Sequence, residues 1–269
     1  MRLSLSAIST VNASFAQDVE AYAAAGFDAI GLWEFKLPED DAANVELLRS
    51  HRLVVSNCIP TVPSFLPLAI PGMEGPPERQ ERLAELCTSI RRLASYEPEC
   101  VLCLSGPLGQ RSEDEGRAIV RDGLRQAAAA ARAAGVRLGF EPVHPGQDDT
   151  AGFVTSLGDA LALLDEAGVD DVGIMADTFN LAHESTEDVV AARSRFTGLH
   201  VADELPEPIP GLRRLPEEHG RSSELVAALS AAGWDGPLDV EVFSTPDAFW
   251  ALPVDEAARQ AHSAVSALA

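Results

Sequence analysis

Four residues able to ligate a metal, Glu141, Asp177, His200 and Glu241, each sit at or near the end of a short apolar run. The clearest case is Val172-Gly-Ile-Met-Ala-Asp177-Thr-Phe-Asn180. Its apolar part, Val172 to Ala176, is too short for an ordinary helix and is closed by a carboxylate. A buried strand that ends in an acid is what a parallel barrel uses where its strand ends line an active site. Three carboxylates gathered in one low-dielectric pocket repel one another and raise each other's pKa. A divalent cation removes that conflict. Three oxygen ligands and one imidazole, with no thiolate, suit Mn²⁺, Mg²⁺, Co²⁺ or Zn²⁺, and Mn²⁺ is the favoured ion. Taken singly, each acid reads as salt-bridged or as a polar residue at a loop edge. Four metal-type residues on four successive strand ends weigh against that reading.

Positioning such residues requires strands that all end at one mouth. Eight times along the chain an apolar, β-branched run is followed by a helical pattern, the signature of parallel βαβ units. Strands are expected at about 3–8, 27–33, 53–59, 99–104, 136–141, 172–176, 196–201 and 238–243. Helices are expected at about 14–25, 41–51, 77–96, 113–134, 157–167, 186–193, 222–232 and 254–268. The expected fold is α/β, a single (β/α)8 TIM barrel domain over residues 1–269, close to the typical size of ~250 residues for that architecture. The third strand is followed by a long connection, Pro60 to Pro77, with prolines at 60, 63, 67, 71, 76 and 77. A loop of that length in a compact domain is usually functional, and this one is expected to lie over the mouth. A second loop, Glu204 to His219, follows the seventh strand.

The composition narrows the function. A formal charge of −22 argues against nucleic acid and anionic membranes as partners. No apolar run reaches the ~18 residues of a membrane span, and the N-terminus lacks a signal-peptide core, so a cytoplasmic protein is expected. Cys100 and Cys103 have CxxC spacing but lie in one expected strand, where residues three apart point to opposite faces. Small core cysteines are expected there, rather than a redox pair or a zinc clip. Neither P-loop nor dinucleotide-binding glycine motifs occur. Lys36 is the only lysine among 20 basic residues. It is either the residue of a lysine-poor genome or a group doing something arginine cannot.

These residues carry a resemblance. Gly26-Phe-Asp-Ala-Ile-Gly-Leu-Trp33, Phe140-Glu141-Pro-Val-His144-Pro145, Asp177-Thr-Phe-Asn180, His200-Val-Ala-Asp203 and Gly236-Pro-Leu-Asp-Val-Glu241-Val-Phe243 occur in order. Together they resemble the xylose isomerase-like barrel superfamily over nearly the whole chain, most of all its inosose isomerases and ketose 3-epimerases. The resemblance implies that Glu141, Asp177, His200 and Glu241 are the metal ligands. It also implies that Glu141 and Glu241 are the catalytic pair, facing each other across the substrate. Relatives carry a substrate-contacting arginine where Arg213 stands, with Arg214 as its rival. His144, Asp203, Glu34 and Lys36 are further candidates at the mouth. Two departures fall in the substrate shell: Asn180 replaces the usual histidine, and the turn after the seventh strand becomes Pro216-Glu-Glu-His219-Gly220, from which His219 could enter the pocket. Asn cannot hold a proton or bind metal well, which argues against a multi-zinc endonuclease.

Three functions are compatible with these features. The first is a divalent-metal-dependent isomerase or epimerase of a keto-sugar or keto-cyclitol, working through a cis-enediolate. The second uses the same groups for β-elimination, as a dehydratase or a lyase of 3-keto-glycosides. The third is a non-catalytic barrel subunit or binding protein. Homo-oligomers and a partner subunit are left open.

Overall fold

The computed structural model describes residues 1–269. Eight parallel strands form a closed barrel in which each strand pairs with its neighbours in the chain and the last pairs with the first. They are β1 (Leu3–Ser6), β2 (Ala29–Trp33), β3 (Val54–Ile59), β4 (Cys100–Leu104), β5 (Leu138–Glu141), β6 (Val172–Asp177), β7 (Phe196–Val201) and β10 (Leu238–Val240). Each is followed by a helix: α1 (Phe15–Ala25), α2 (Asp41–Ser50), α3 (Arg79–Leu93), α4 (Glu113–Ala134), α5 (Leu157–Ala167), α6 (Thr186–Ala191), α7 (Arg221–Ala231) and α8 (Val254–Ser266). The expected (β/α)8 barrel is the fold.

Local chemistry sets the boundaries. Ser14 and Ser112 open α1 and α4 with capping boxes closed by Gln17 and Glu115, and Gly26 and Gly135 end those helices in the left-handed region. Two strands end earlier than the apolar runs suggest. β1 stops at Ser6 because Ala7–Thr10 turns into a 3-10 helix. β10 stops at Val240 because Ser9 intervenes: its hydroxyl donates to Val240 O at 3.3 Å and accepts from Val242 N at 2.9 Å. The loop after β7 also contains regular structure that its Pro- and Glu-rich composition hides. There β8 (Asp203–Glu204) pairs antiparallel with β9 (Arg213–Arg214).

Alternation along the strands divides the core in two. A cluster of 52 buried residues packs the outer strand faces against the helices, whereas only seven form the apolar cluster inside the barrel. Cys103 belongs to the outer cluster and Cys100 to the inner one, so the CxxC pair does face opposite ways, and all four cysteines are free and buried. Much of the interior is polar instead: Ser4, Ser6, Asn57, His200 and Asp239 are all buried. A register shift between β2 and β3, where Ile30 faces Val55 but Gly31 faces Asn57, adds Ser56 to this group. Its hydroxyl meets that of Ser4 at 2.8 Å.

The Pro-rich segment after β3 is firmly held. Phe65 and Leu66 donate to Leu104 and Ser105 carbonyls, and Leu104 donates back to Pro63 O at 2.8 Å. Buried Arg82 of α3 reaches under the far end and donates to the carbonyls of Glu74 and Pro76. Where the loop passes the β4–α4 turn, a Cβ on Gly106 would come within 2.2 Å of Leu66 O, so only glycine fits.

Candidate metal centre and active site

Strand register gathers the four sequence-predicted ligands. Asp177 pairs with His200, and His200 with Asp239, at one level of the barrel. Glu141 ends β5, and Glu241 stands just past β10 on the same face as Asp239. Glu141, Asp177 and His200 each offer a ligand atom within 4.8 Å of the others. Glu241 lies at the edge of this trio: its Oε2 is 3.4 Å from His200 Nδ1 and 3.3 Å from Arg213 Nη2. All four are buried.

Whether this set suits a cation can be judged from His200. Its Nδ1 is buried, has no hydrogen-bond partner and lies 3.4 Å from both Glu141 Oε1 and Glu241 Oε2. Its Nε2 faces the other way, 3.4 Å from Asp239 Oδ2 and from Asn57 Oδ1. Asn57 in turn donates to Asp239 Oδ2 at 2.8 Å. An imidazole held by a carboxylate on one nitrogen while the other points at acids is the arrangement of a histidine ligand with its supporting shell. Two carboxylates and an imidazole, with a third carboxylate alongside, could hold a divalent metal.

Electrostatics in the cluster are strained by burial and balanced by cations of the protein. Burial opposes charge on His200, but Glu241, Asp239 and Glu141 outweigh it and hold its pKa well above the usual imidazole value. Burial pushes Glu241 up to about 7, against the opposing pull of His200 and Arg213. Arg213 pairs with Asp177 and with Glu241. Its guanidinium lies between two rings, 4.9 Å from the centroid of Phe179 and 4.7 Å from that of Phe243.

Above the cluster opens a cavity of about 310 Å³ lined by Glu141, Asn180, Arg213 and Glu241 among other residues. Asp177 and His200 lie beneath it. Asn180 Nδ2 donates to Glu141 Oε1 at 3.3 Å, and its Oδ1 accepts from His144 N at 3.0 Å. The asparagine that replaces the usual histidine therefore orients Glu141.

The other predicted mouth residues are used elsewhere. Lys36 does not line the cavity: its Nζ donates to Ala7 O and Thr10 O at 2.9 Å and pairs with buried Asp18 at 2.5 Å. Three acceptors around one point suit an ammonium and not a planar guanidinium, which gives the single lysine a structural reason. Glu34 accepts from Thr61 N at 2.9 Å and tethers the start of the Pro-rich loop. Asp203 accepts from Ser222 N at 2.9 Å and Glu217 N at 2.8 Å, shaping the turn behind Arg213. His144 stacks on Phe179 with centroids 5.0 Å apart, and its Nε2 lies 3.3 Å from Glu204. Burial lowers its pKa, opposed by Glu204. Arg214 turns away to Glu217, and His219 is exposed. Asp239 was missed in the sequence. It lies two residues before Glu241, hence on the same strand face, and that spacing was signal enough.

The model of the xylose isomerase-like TIM barrel family matches residues 19–267. The chain belongs to that family. A search of curated protein sequences finds no match. Among solved structures, protein SMc04130 from Sinorhizobium meliloti 1021 superposes with a TM-score of 0.83 at 22% identity, covering 98% of this chain and 97% of its own. The IolI protein with a bound zinc atom gives 0.81 at 19% identity, with 100% and 98% covered. D-psicose 3-epimerase from Clostridium cellulolyticum H10, solved with D-tagatose, gives 0.74 at 15% identity, with 99% and 97% covered. Identities this low establish a common fold. No helix of this chain is long and apolar enough to cross a membrane.

Proposed function

We propose that this protein is a divalent-metal-dependent isomerase or epimerase of a keto-sugar or keto-cyclitol, acting by proton transfer beside a carbonyl. The observation that carries the reading is the placement of Glu141 and Glu241. Both line one cavity, and each lies 3.4 Å from the same orphaned nitrogen of His200. Glu141, Asp177 and His200 would hold the cation, with Glu241 as fourth ligand. When bound, the cation supplies positive charge beside the oxygens of the developing enediolate. Glu141 and Glu241 then serve as the bases, one removing a proton from the carbon next to the carbonyl and the other returning one. Asn180 keeps Glu141 aimed at the cavity. Arg213, fixed between Phe179 and Phe243, offers a guanidinium to a substrate oxygen. An intact acid set with a shared cavity favours this over a non-catalytic barrel.

The test is incubation of the Mn²⁺-, Co²⁺-, Zn²⁺- or Mg²⁺-loaded protein with a panel of keto-sugars and keto-cyclitols in D₂O. The expected result is deuterium in a product whose formula is otherwise unchanged. A product that has lost water or another leaving group would move the assignment to elimination. No exchange with any ion would overturn the reading.

A further inference from the structure

The cavity is polar at its floor and apolar above it. At the floor, Asn180 is engaged by Glu141 and the His144 amide, whereas Arg213 pairs with Asp177 and Glu241 through its two terminal nitrogens and keeps its buried Nε without a partner. Twelve of the 22 lining residues are hydrophobic, and away from the floor only Gln147 and Thr150 offer polar side chains. The Thr150 hydroxyl already donates to Gln147 O at 3.3 Å. Ile70 and Met73 of the Pro-rich loop and Leu212 of the loop after β7 all line the upper part, and all three are half-buried.

A bare ketose or cyclitol carries a hydroxyl on almost every ring carbon. Each hydroxyl buried without a partner is unfavourable, whereas an apolar group in the same place is favoured. The floor suits the reacting end of a polyol, but the walls do not suit the rest of one. Nor is the apolar lip free to rearrange, since backbone bonds to β4 and buried Arg82 hold the loop that carries Ile70 and Met73. Large apolar side chains kept at an open mouth mark a contact surface.

We infer that the substrate carries an apolar substituent the size of an aromatic ring on its keto-sugar or keto-cyclitol ring, and that Ile70, Met73 and Leu212 hold it. The placement of the polyol ring at the floor rests on the proton-transfer reading above. The apolar subsite rests on the lining alone.

Titration calorimetry with a bare hexose and its two anomeric phenyl glycosides tests the subsite without requiring turnover. A phenyl glycoside is expected to bind at least tenfold more tightly than the hexose. Ile70→Ser and Met73→Ser, both at half-buried positions, are expected to cut that advantage below threefold while the bare hexose binds as before. Thermal melts of both variants confirm that they fold. Equal affinities, an advantage that survives both substitutions, or no binding of either ligand would overturn the inference. Deuterium exchange separates it from the parent reading. Exchange on bare ketoses as fast as on phenyl-substituted ones sinks the substituent and keeps the proton transfer. A phenyl preference in binding without any exchange supports the subsite and sinks the proton transfer.

Discussion

Asp239 Oδ2 lies 3.4 Å from Nε2 of His200, on the side of the ring opposite Glu141 and Glu241. Gly31 makes room for it, since a Cβ there would come within 2.3 Å of the same carboxylate oxygen. The barrel thus commits a strand position, a glycine and Asn57 to one face of one imidazole. Supporting groups of this type fix the tautomer and the aim of a ligand histidine, and their loss typically lowers metal affinity about 10–100-fold. Asp239→Ala is expected to weaken Mn²⁺ binding by that factor in calorimetry. Asp239→Asn should fall between it and wild type. Unchanged affinity in both would leave Asp239 a packing residue.

Glu241 and Asp177 make separable contributions. Glu241→Gln is expected to keep metal, because the trio is complete without it, and to lose about 10²–10⁴ of the exchange rate as a proton-transfer group. Asp177→Ala is expected to lose the metal itself. Elemental analysis beside the exchange assay distinguishes the two, and a Glu241→Gln protein that exchanges at the wild-type rate would remove Glu241 from the chemistry.

Arg213 balances the charge of two of the acids. Removing one partner of a buried ion pair costs about 3–5 kcal/mol, because it strands the other. Arg213→Ala should therefore lose stability of that order when urea unfolding is followed with chelator present. With saturating Mn²⁺ the loss should shrink by at least half. An equal loss in both conditions would show that guanidinium and cation do not share this task.

Lys36 predicts a different failure. Lys36→Met strands Asp18 and is expected to cost about 3–5 kcal/mol. Lys36→Arg keeps the charge but cannot place three donors around one point, and is expected to cost roughly 2 kcal/mol. Urea midpoints of the two variants check the order, and activity per folded molecule should be little changed.

One contribution to the pH dependence of stability sits on the outside of the barrel at Asp41, which joins α2 to α3. It accepts from Arg92 Nη2 at 2.8 Å and Tyr96 Oη at 2.6 Å, and the Arg92 bonds hold its pKa below the ordinary 3.8. A depressed carboxylate contributes stability above its unfolded-state pKa and loses it as pH falls through the folded-state value. Asp41→Asn should cost about 1 kcal/mol at pH 7, discounted for partial exposure. The difference from wild type should fade below pH 3.8. A gap that is constant from pH 7 to pH 3 would contradict this.

The barrel is legible because short continuous apolar runs and helical patterns alternate along the whole chain, and strand-end acids stand out against apolar neighbours. Glu141, Asp177 and Glu241 stand out in that way, His200 as a metal-type residue on the strand between them, and Asn180 and Arg213 only through the family resemblance; the structure brings these six side chains close together. Lys36, Glu34 and Asp203 were misplaced because loop residues next to a strand end turn either way. Their side chains answer to backbone donors and acceptors such as Thr61 N, Ala7 O and Ser222 N, which sequence does not display. Asn57 was out of reach for another reason: a register shift turns it inward beside Ser56, and strict alternation cannot allow for that.

The fold's cohesion and its chemistry occupy different volumes. The 52-residue apolar cluster lies between strands and helices, while the space enclosed by the strands is given largely to hydroxyls, an amide, acids and an imidazole. Substitutions inside the staves therefore leave the 52-residue apolar packing untouched, and their cost is set by whether the buried charges that remain are still paired. A lineage built this way can reshape its interior by exchanging inward-facing side chains in matched pairs while the outer packing stays intact.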